Sequence, residues 1–260
     1  MDVRLDGRVA LITGGSRGLG FAMARKFAQS GADVAIVARR PDVLEKSRAT
    51  LAAETGRRIW AQPCDTGNRG QIEAMFGALI RDMGRVDILV NNAGDSRAAP
   101  FESVTDEEWI TDFDIKLFGA IRLARLALPG MKQRRWGRIL NVLNIGSKAP
   151  RAAGAPTHIT RAAGLALTKV LAGDGAPYNV LVNALMTGAI ITDQLERRWK
   201  KEKPSLTLEQ FAAERGKPIP LGRLGTAEEY ANVACFLASD AASYVTGTAL
   251  NIDGGASPVV

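Results

Sequence analysis

Thr13-Gly14-Gly15-Ser16-Arg17-Gly18-Leu19-Gly20 is the stretch that decides the fold. It follows Val9-Ala10-Leu11-Ile12, an apolar run that reads as a buried strand. It precedes Phe21 to Ala28, whose apolar residues recur at helical spacing. A strand, a glycine turn and a helix in that order aim backbone N–H groups from a positive helix end, which suits a phosphate. The spacing of Gly14, Gly18 and Gly20 differs from G-x-G-x-x-G. Gly14-Gly15-Ser16-Arg17-Gly18 also satisfies G-x-S-x-G, the nucleophile elbow of serine hydrolases, so a second reaction class has to be weighed.

Outward from the loop, strand and helix patterns alternate. Apolar runs stand at Val9–Ile12, Val34–Val37, Ile59–Ala61, Ile88–Val90, Ile139–Leu143, Val180–Val182 and Ala249–Ile252. Helical patterns lie between most of them, over 18–30, 42–54, 69–83, 106–134, 156–174 and 227–238. Parallel strands need crossover connections, so this order predicts one α/β domain over residues 1–260. Its seven-stranded parallel sheet is doubly wound, with helices on both faces. Residues 190–220 depart from the alternation. They read as charged helical pieces, an insertion outside the strand C-termini where open α/β sheets bind ligands.

Composition narrows the classes. With 260 residues and 46% hydrophobic content the chain can bury one sizeable core. No apolar run approaches the roughly 18–20 residues that span a bilayer, and no leader pattern opens the chain, so a cytoplasmic protein without membrane contact is expected. Cys64 and Cys235 lie far apart, which fits reduced thiols, and two cysteines with one histidine predict no metal site. The net charge of +7 comes from Lys and Arg that are scattered, apart from the runs Lys132–Arg135 and Arg197–Lys203, rather than from a stripe with interleaved aromatics. An anionic small molecule accounts for it better than nucleic acid does.

Further motifs fall in register with the loop: Asp65 after the third run, Asn91-Asn92-Ala93-Gly94 after the fourth and Asn183 at the end of the sixth. Gly222-Arg223-Leu224-Gly225, Ser243-Tyr244-Val245-Thr246-Gly247 and Asp253-Gly254-Gly255 follow. In this order, over nearly the whole chain, they resemble the short-chain dehydrogenase/reductase family, including its 3-oxoacyl-acyl-carrier-protein reductase-like members. The resemblance implies a Rossmann-like fold, a nicotinamide cofactor, a small-molecule substrate and a homotetramer or homodimer. It makes Ser16 a phosphate-loop residue and leaves the serine hydrolase as a minor alternative.

The resemblance assigns cofactor contacts residue by residue. Gly14, Gly18, Leu19 and Gly20 would bring backbone to the diphosphate, and Ser16 and Arg17 would face the adenosine end. Asp65 would reach the adenine, Asn92 and Gly94 its ribose, Gly188 and Ile190 the nicotinamide amide and Thr192 the phosphates. An acidic residue after the second strand would accept from a ribose 2′-OH. Ala38-Arg39-Arg40 stands there instead, and Arg17 with Arg39 suits a 2′-phosphate, so NADP(H) is expected over NAD(H).

The catalytic positions depart from the family pattern of Asn, Ser, Tyr and Lys. The alignment places Lys116, Asn144, Thr157 and Arg161 there. The remaining tyrosines, Tyr178, Tyr230 and Tyr244, fall at framework positions. A threonine hydroxyl is far too weak an acid to replace a tyrosine. The family lysine also binds the nicotinamide ribose hydroxyls, a cofactor contact that Arg161 could keep along with its positive charge, but Arg161 cannot deprotonate. Asn144, Thr157 and Arg161 would then stabilise an oxyanion, suited to a carbonyl or an activated C=C bond. Lys116, its pKa lowered by burial, would deliver the proton, ahead of His158, with Ser147 and Lys148 as weaker candidates. The competing reading is a pseudoenzyme that binds cofactor without turnover. Ile190, Ile191, Leu195 and Trp199 suggest an apolar substrate wall or, equally well, core packing against the insertion, and the nearby basic run Arg197–Lys203 suggests an anionic handle.

Overall fold

The computed structural model of the chain describes residues 3–260. The strands are β1 (Val9–Thr13), β2 (Asp33–Ala38), β3 (Ile59–Pro63), β4 (Ile88–Asn91), β5 (Ala98–Ala99), β6 (Gly137–Asn144), β7 (Ala155–Pro156), β8 (Val180–Thr187) and β9 (Ala249–Ile252). The helices are α1 (Gly18–Gln29), α2 (Pro41–Thr55), α3 (Arg69–Met83), α4 (Asp106–Phe113), α5 (Gly119–Gln133), α6 (Thr157–Gly175), α7 (Asp193–Glu202), α8 (Leu208–Gly216) and α9 (Ala227–Ala238). The main sheet is parallel and seven-stranded, in the order β3-β2-β1-β4-β6-β8-β9, while β5 and β7 pair antiparallel beside it.

Burial on both faces explains the unbroken apolar runs. In β1, Ala10 and Ile12 join one core with α1 and α9, while Val9 and Leu11 join another with α3 and α5. The strand order reverses between β1 and β4, whose residues Ala10 to Ile12 pair with Ile88 to Val90. That reversal opens a crevice at their C-terminal ends, where the glycine loop and Asn91–Gly94 come side by side.

The structure departs from the sequence reading in two elements. The pattern over 106–134 is not one helix, because a π turn at Asp114–Phe118 separates α4 from α5. Such a turn re-aims the side chains it carries, Lys116 among them. Strand β8 runs five residues past Val182, so Asn183 lies inside it rather than at its end. The buried Asn183 amide donates to Val245 O and accepts from Thr248 N, which satisfies it in the sheet interior.

Candidate active site

The glycine loop is built for close approach. Gly14 and Gly18 have positive φ, at 65° and 53°, a region that costs other residues strain. A Cβ on Gly20 would lie 2.2 Å from Gly14 O, so α1 packs against the loop through bare backbone. Two side chains hold it in place, Ser47 from outside the motif and Thr13 from its start. Ser47 Oγ on α2 donates to Ser16 O at 2.8 Å, and Thr13 Oγ1 accepts from both Asn92 N and Ala93 N at 2.9 Å. Asn92 Nδ2 donates to Thr13 O at 2.8 Å, so its side chain braces the loop rather than reaching out to a ribose.

Around this loop the expected cofactor residues divide. Arg17 and Arg39 are exposed and have no ion-pair partner among the described residues, leaving both free for an anion. Asp65 Oδ1 accepts from Gly67 N at 3.0 Å, which fixes the turn after β3. Gly188 has a packing reason to be glycine. Its N–H donates to Ile252 O at 3.0 Å, and a Cβ there would meet Asp253 at 2.5 Å, so its glycine answers to packing against β9. Ile190 bridges to Gly225, and Thr192 precedes α7 within 4 Å of a Cβ built on Gly18. The glycines, the unpaired arginines and the phosphate-facing loop together fit a dinucleotide carrying an extra phosphate.

At the other end of the crevice, Lys116 Nζ pairs with the buried carboxylate of Asp112 and donates to Thr157 Oγ1 at 3.0 Å. Its stem packs against Gly94, where a Cβ would lie 3.0 Å from Lys116 Cγ. Burial and the neighbouring Arg161 guanidinium pull the Lys116 ammonium down to about 8, against the raising effect of Asp112. Arg161 Nη1 donates to Val142 O, and burial lowers its pKa as well. A cavity of about 20 Å³, room for roughly one water, is lined by Lys116, Arg161, Asn91, Asn141 and Thr160.

Thr157 is fully buried, and its hydroxyl accepts from Arg97 N at 3.0 Å as well as from Lys116. It therefore ties Lys116 to the 95–97 loop instead of facing an oxyanion. Asn144 ends β6, and its carbonyl accepts from Ser147 Oγ, while its side-chain N–H groups have no partner among the described residues. Ser147 is spent on that contact. Lys148 Nζ donates to Ala249 O and Asn251 Oδ1, which anchors it to β9.

The ring of His158, the chain's single histidine, packs on Gly146 and Gly154 and touches neither Lys116 nor Ser16. Ser16 thus lacks the base an elbow serine needs. Tyr230 is buried, its hydroxyl 2.9 Å from Thr187 Oγ1, and burial raises its pKa. Tyr178 and Tyr244 lie exposed.

Asp112 escaped the sequence reading, although Asp-x-x-x-Lys at helical i, i+4 spacing was there to signal it. Thr13 and Ser47 escaped it too. Their contacts span 77 to 80 and 31 positions, respectively, which no local pattern reports.

The comparisons with known proteins agree with this geometry. The family model described as enoyl-(acyl carrier protein) reductase matches residues 14–257. The 2,3-dihydro-2,3-dihydroxybenzoate dehydrogenase of Bacillus subtilis is 34% identical over 254 residues, covering 97% of each chain. The L-sorbose reductase of Gluconobacter frateurii, solved with NADPH and L-sorbose, superposes with a TM-score of 0.94 at 30% identity over all of both chains. A Pseudomonas aeruginosa short-chain oxidoreductase described as containing an atypical catalytic center, solved with NADPH, gives a TM-score of 0.92 at 34% identity over 99% of each chain. No helix among the described residues is long and apolar enough to cross a membrane. By sequence, by fold and by its glycine loop, the chain belongs to the short-chain dehydrogenase/reductase family.

Proposed function

We propose that this chain is an NADP(H)-dependent oxidoreductase that reduces a carbonyl or an activated C=C bond, with Lys116 as its proton donor. The observation that carries the reading is the buried Lys116 ammonium beneath Gly94, flanked by Arg161 and held by Asp112 and Thr157. A group with a pKa of about 8 exchanges a proton near neutral pH, which a threonine cannot do. When bound, NADPH supplies a hydride from its nicotinamide ring. Gly14, Ser16, Arg17, Gly18, Leu19, Gly20 and Arg39 would hold its phosphates, while Asp65, Asn92, Gly94, Ile190 and Thr192 line the remaining crevice. NADPH-bound relatives and the unpaired Arg17 and Arg39 support the phosphorylated cofactor.

The positive charge of Lys116 and Arg161 would then favour negative charge developing on a substrate oxygen, and Asn144, at the end of β6, would add amide donors. For an enone, that oxygen becomes an enolate, which needs donors more than a single strong acid. We assign Thr157 to positioning Lys116. The homotetramer belongs to the same proposal, and light scattering on the purified chain tests it.

The direct test is NADPH oxidation across a panel of ketones, quinones and enones. Turnover that Lys116→Met lowers by about a hundredfold or more supports the reading. NADPH binding without turnover on any of them would make the chain a pseudoenzyme.

A further inference from the structure

The insertion has an apolar face that forms a core and a cationic face toward solvent. Leu195 and Trp199 turn away from the crevice into a small separate core with Phe211, Ile219 and Leu224. The other face of α7 carries Gln194, Arg197, Arg198 and Lys201, spaced i, i+3, i+4 and i+7. These four, with Asp95 and Ser96, line a cavity of about 190 Å³.

The cavity stands at the mouth of the site. Asp95 and Ser96 directly follow Asn91–Gly94, and Arg97 N in the same loop donates to Thr157. At its start, α7 lies over the glycine loop, with Asp193 Oδ1 3.0 Å from a Cβ built on Gly18. This wall therefore adjoins both the glycine loop and the 95–97 loop that Thr157 ties to Lys116.

The charges on the insertion are mostly spoken for. Arg197 pairs with Asp193 at 2.6 Å and with Asp95 at 3.7 Å, and Gln194 also donates to Asp95. Lys200 pairs with Glu196, Lys203 with Glu214 and Arg215 with Glu202. Arg198 and Lys201 have no partner among the described residues, and both face the cavity. Like charges one turn apart repel. A bound anion removes that repulsion.

We infer that Arg198 and Lys201 form a binding site for an oxyanion, a phosphate or carboxylate group on the substrate distant from its reacting atoms. The inference deepens the oxidoreductase reading and rests on it, since it names the substrate class as anionic.

The test is calorimetry on NADPH-saturated protein at low ionic strength, titrated with inorganic pyrophosphate and, in a parallel arm, with malonate. Saturating NADPH keeps both probes off the cofactor phosphate positions. Saturable binding of either is expected, weakened about tenfold or more in the double variant Arg198→Gln/Lys201→Gln. The stronger arm identifies phosphate or carboxylate. Lys200→Gln, which removes a paired charge outside the cavity, should leave it unchanged. Equal binding by parent and double variant, no binding of either anion by the parent, or an equal loss in Lys200→Gln would overturn the inference. NADPH affinity, measured on the same samples, should be the same in all of them. A failure of NADPH to bind would instead count against the cofactor reading.

Discussion

Asp112 and Lys116 lie one helical turn apart and meet as an ion pair closed to solvent, their side chains 2% and 6% exposed. A charge pair this deep repays the loss of hydration only when its geometry and remaining hydrogen bonds are good. Here Thr157 supplies one further contact to the ammonium, while Asp112 Oδ2 has no partner.

The pH dependence of reduction follows from that pair. Lys116 must be protonated to donate, so turnover should be level at lower pH and fall as pH rises through about 8. Lys116→Arg keeps the charge but cannot release its proton, so the residual rate of that variant should lack the limb near 8. Steady-state rates from pH 6 to 10 check both.

Asp112→Asn removes the carboxylate that raises the Lys116 pKa. The alkaline limb should therefore move to lower pH while NADPH affinity stays the same. An unmoved limb in this variant would show that the pair has no part in catalysis.

Thr157→Val deletes the acceptor for both Lys116 Nζ and Arg97 N. Lys116 Nζ keeps Asp112, so the loss falls mainly on the part-buried Arg97 N and should cost about 1–3 kcal/mol, which a denaturant titration reads, and turnover should fall along with stability. Thr157→Ser restores the hydroxyl and should restore both.

Tyr230→Phe separates a framework tyrosine from a concealed acid. Its hydroxyl meets Thr187 in the core, so the variant should lose about 1 kcal/mol of stability while kcat and its pH profile stay as in the parent.

On the proposed reading, Arg17 and Arg39 select NADPH over NADH. Removing either guanidinium should weaken NADPH by about ten- to a hundredfold, a charge-assisted bond being worth roughly 1.5–3 kcal/mol, and leave NADH nearly unchanged. Fluorescence titration with both nucleotides decides it.

Periodicity made the sheet legible, because strands buried on both faces show as bare apolar runs such as Val9–Ile12 and Ile88–Val90. It could not place the π turn at Asp114–Phe118, since a one-residue insertion leaves composition and average spacing nearly intact. The glycine loop was legible because Gly14, Gly18 and Gly20 have local reasons to be glycine. Side-chain partners were not. The family resemblance points Asn92 and Thr157 at a ligand, and sequence position alone offers Lys148 and His158 as weaker candidates for chemistry. The structure turns them to Thr13 O, Arg97 N, β9 and Gly146 through contacts that join distant segments. The apolar residues of the insertion left substrate wall and core packing both open, because the core that Leu195 and Trp199 close with Phe211 is assembled only by tertiary folding.

The central claim is that the crevice binds NADPH and that Lys116 moves the proton. Its most direct measurement is single-turnover oxidation of bound NADPH by a reducible substrate, in the parent and in Lys116→Met, with nucleotide binding followed on the same samples. The account predicts equal NADPH binding and a rate at least a hundredfold lower in the variant. Equal rates in the two proteins, or no NADPH binding by the parent, would contradict it.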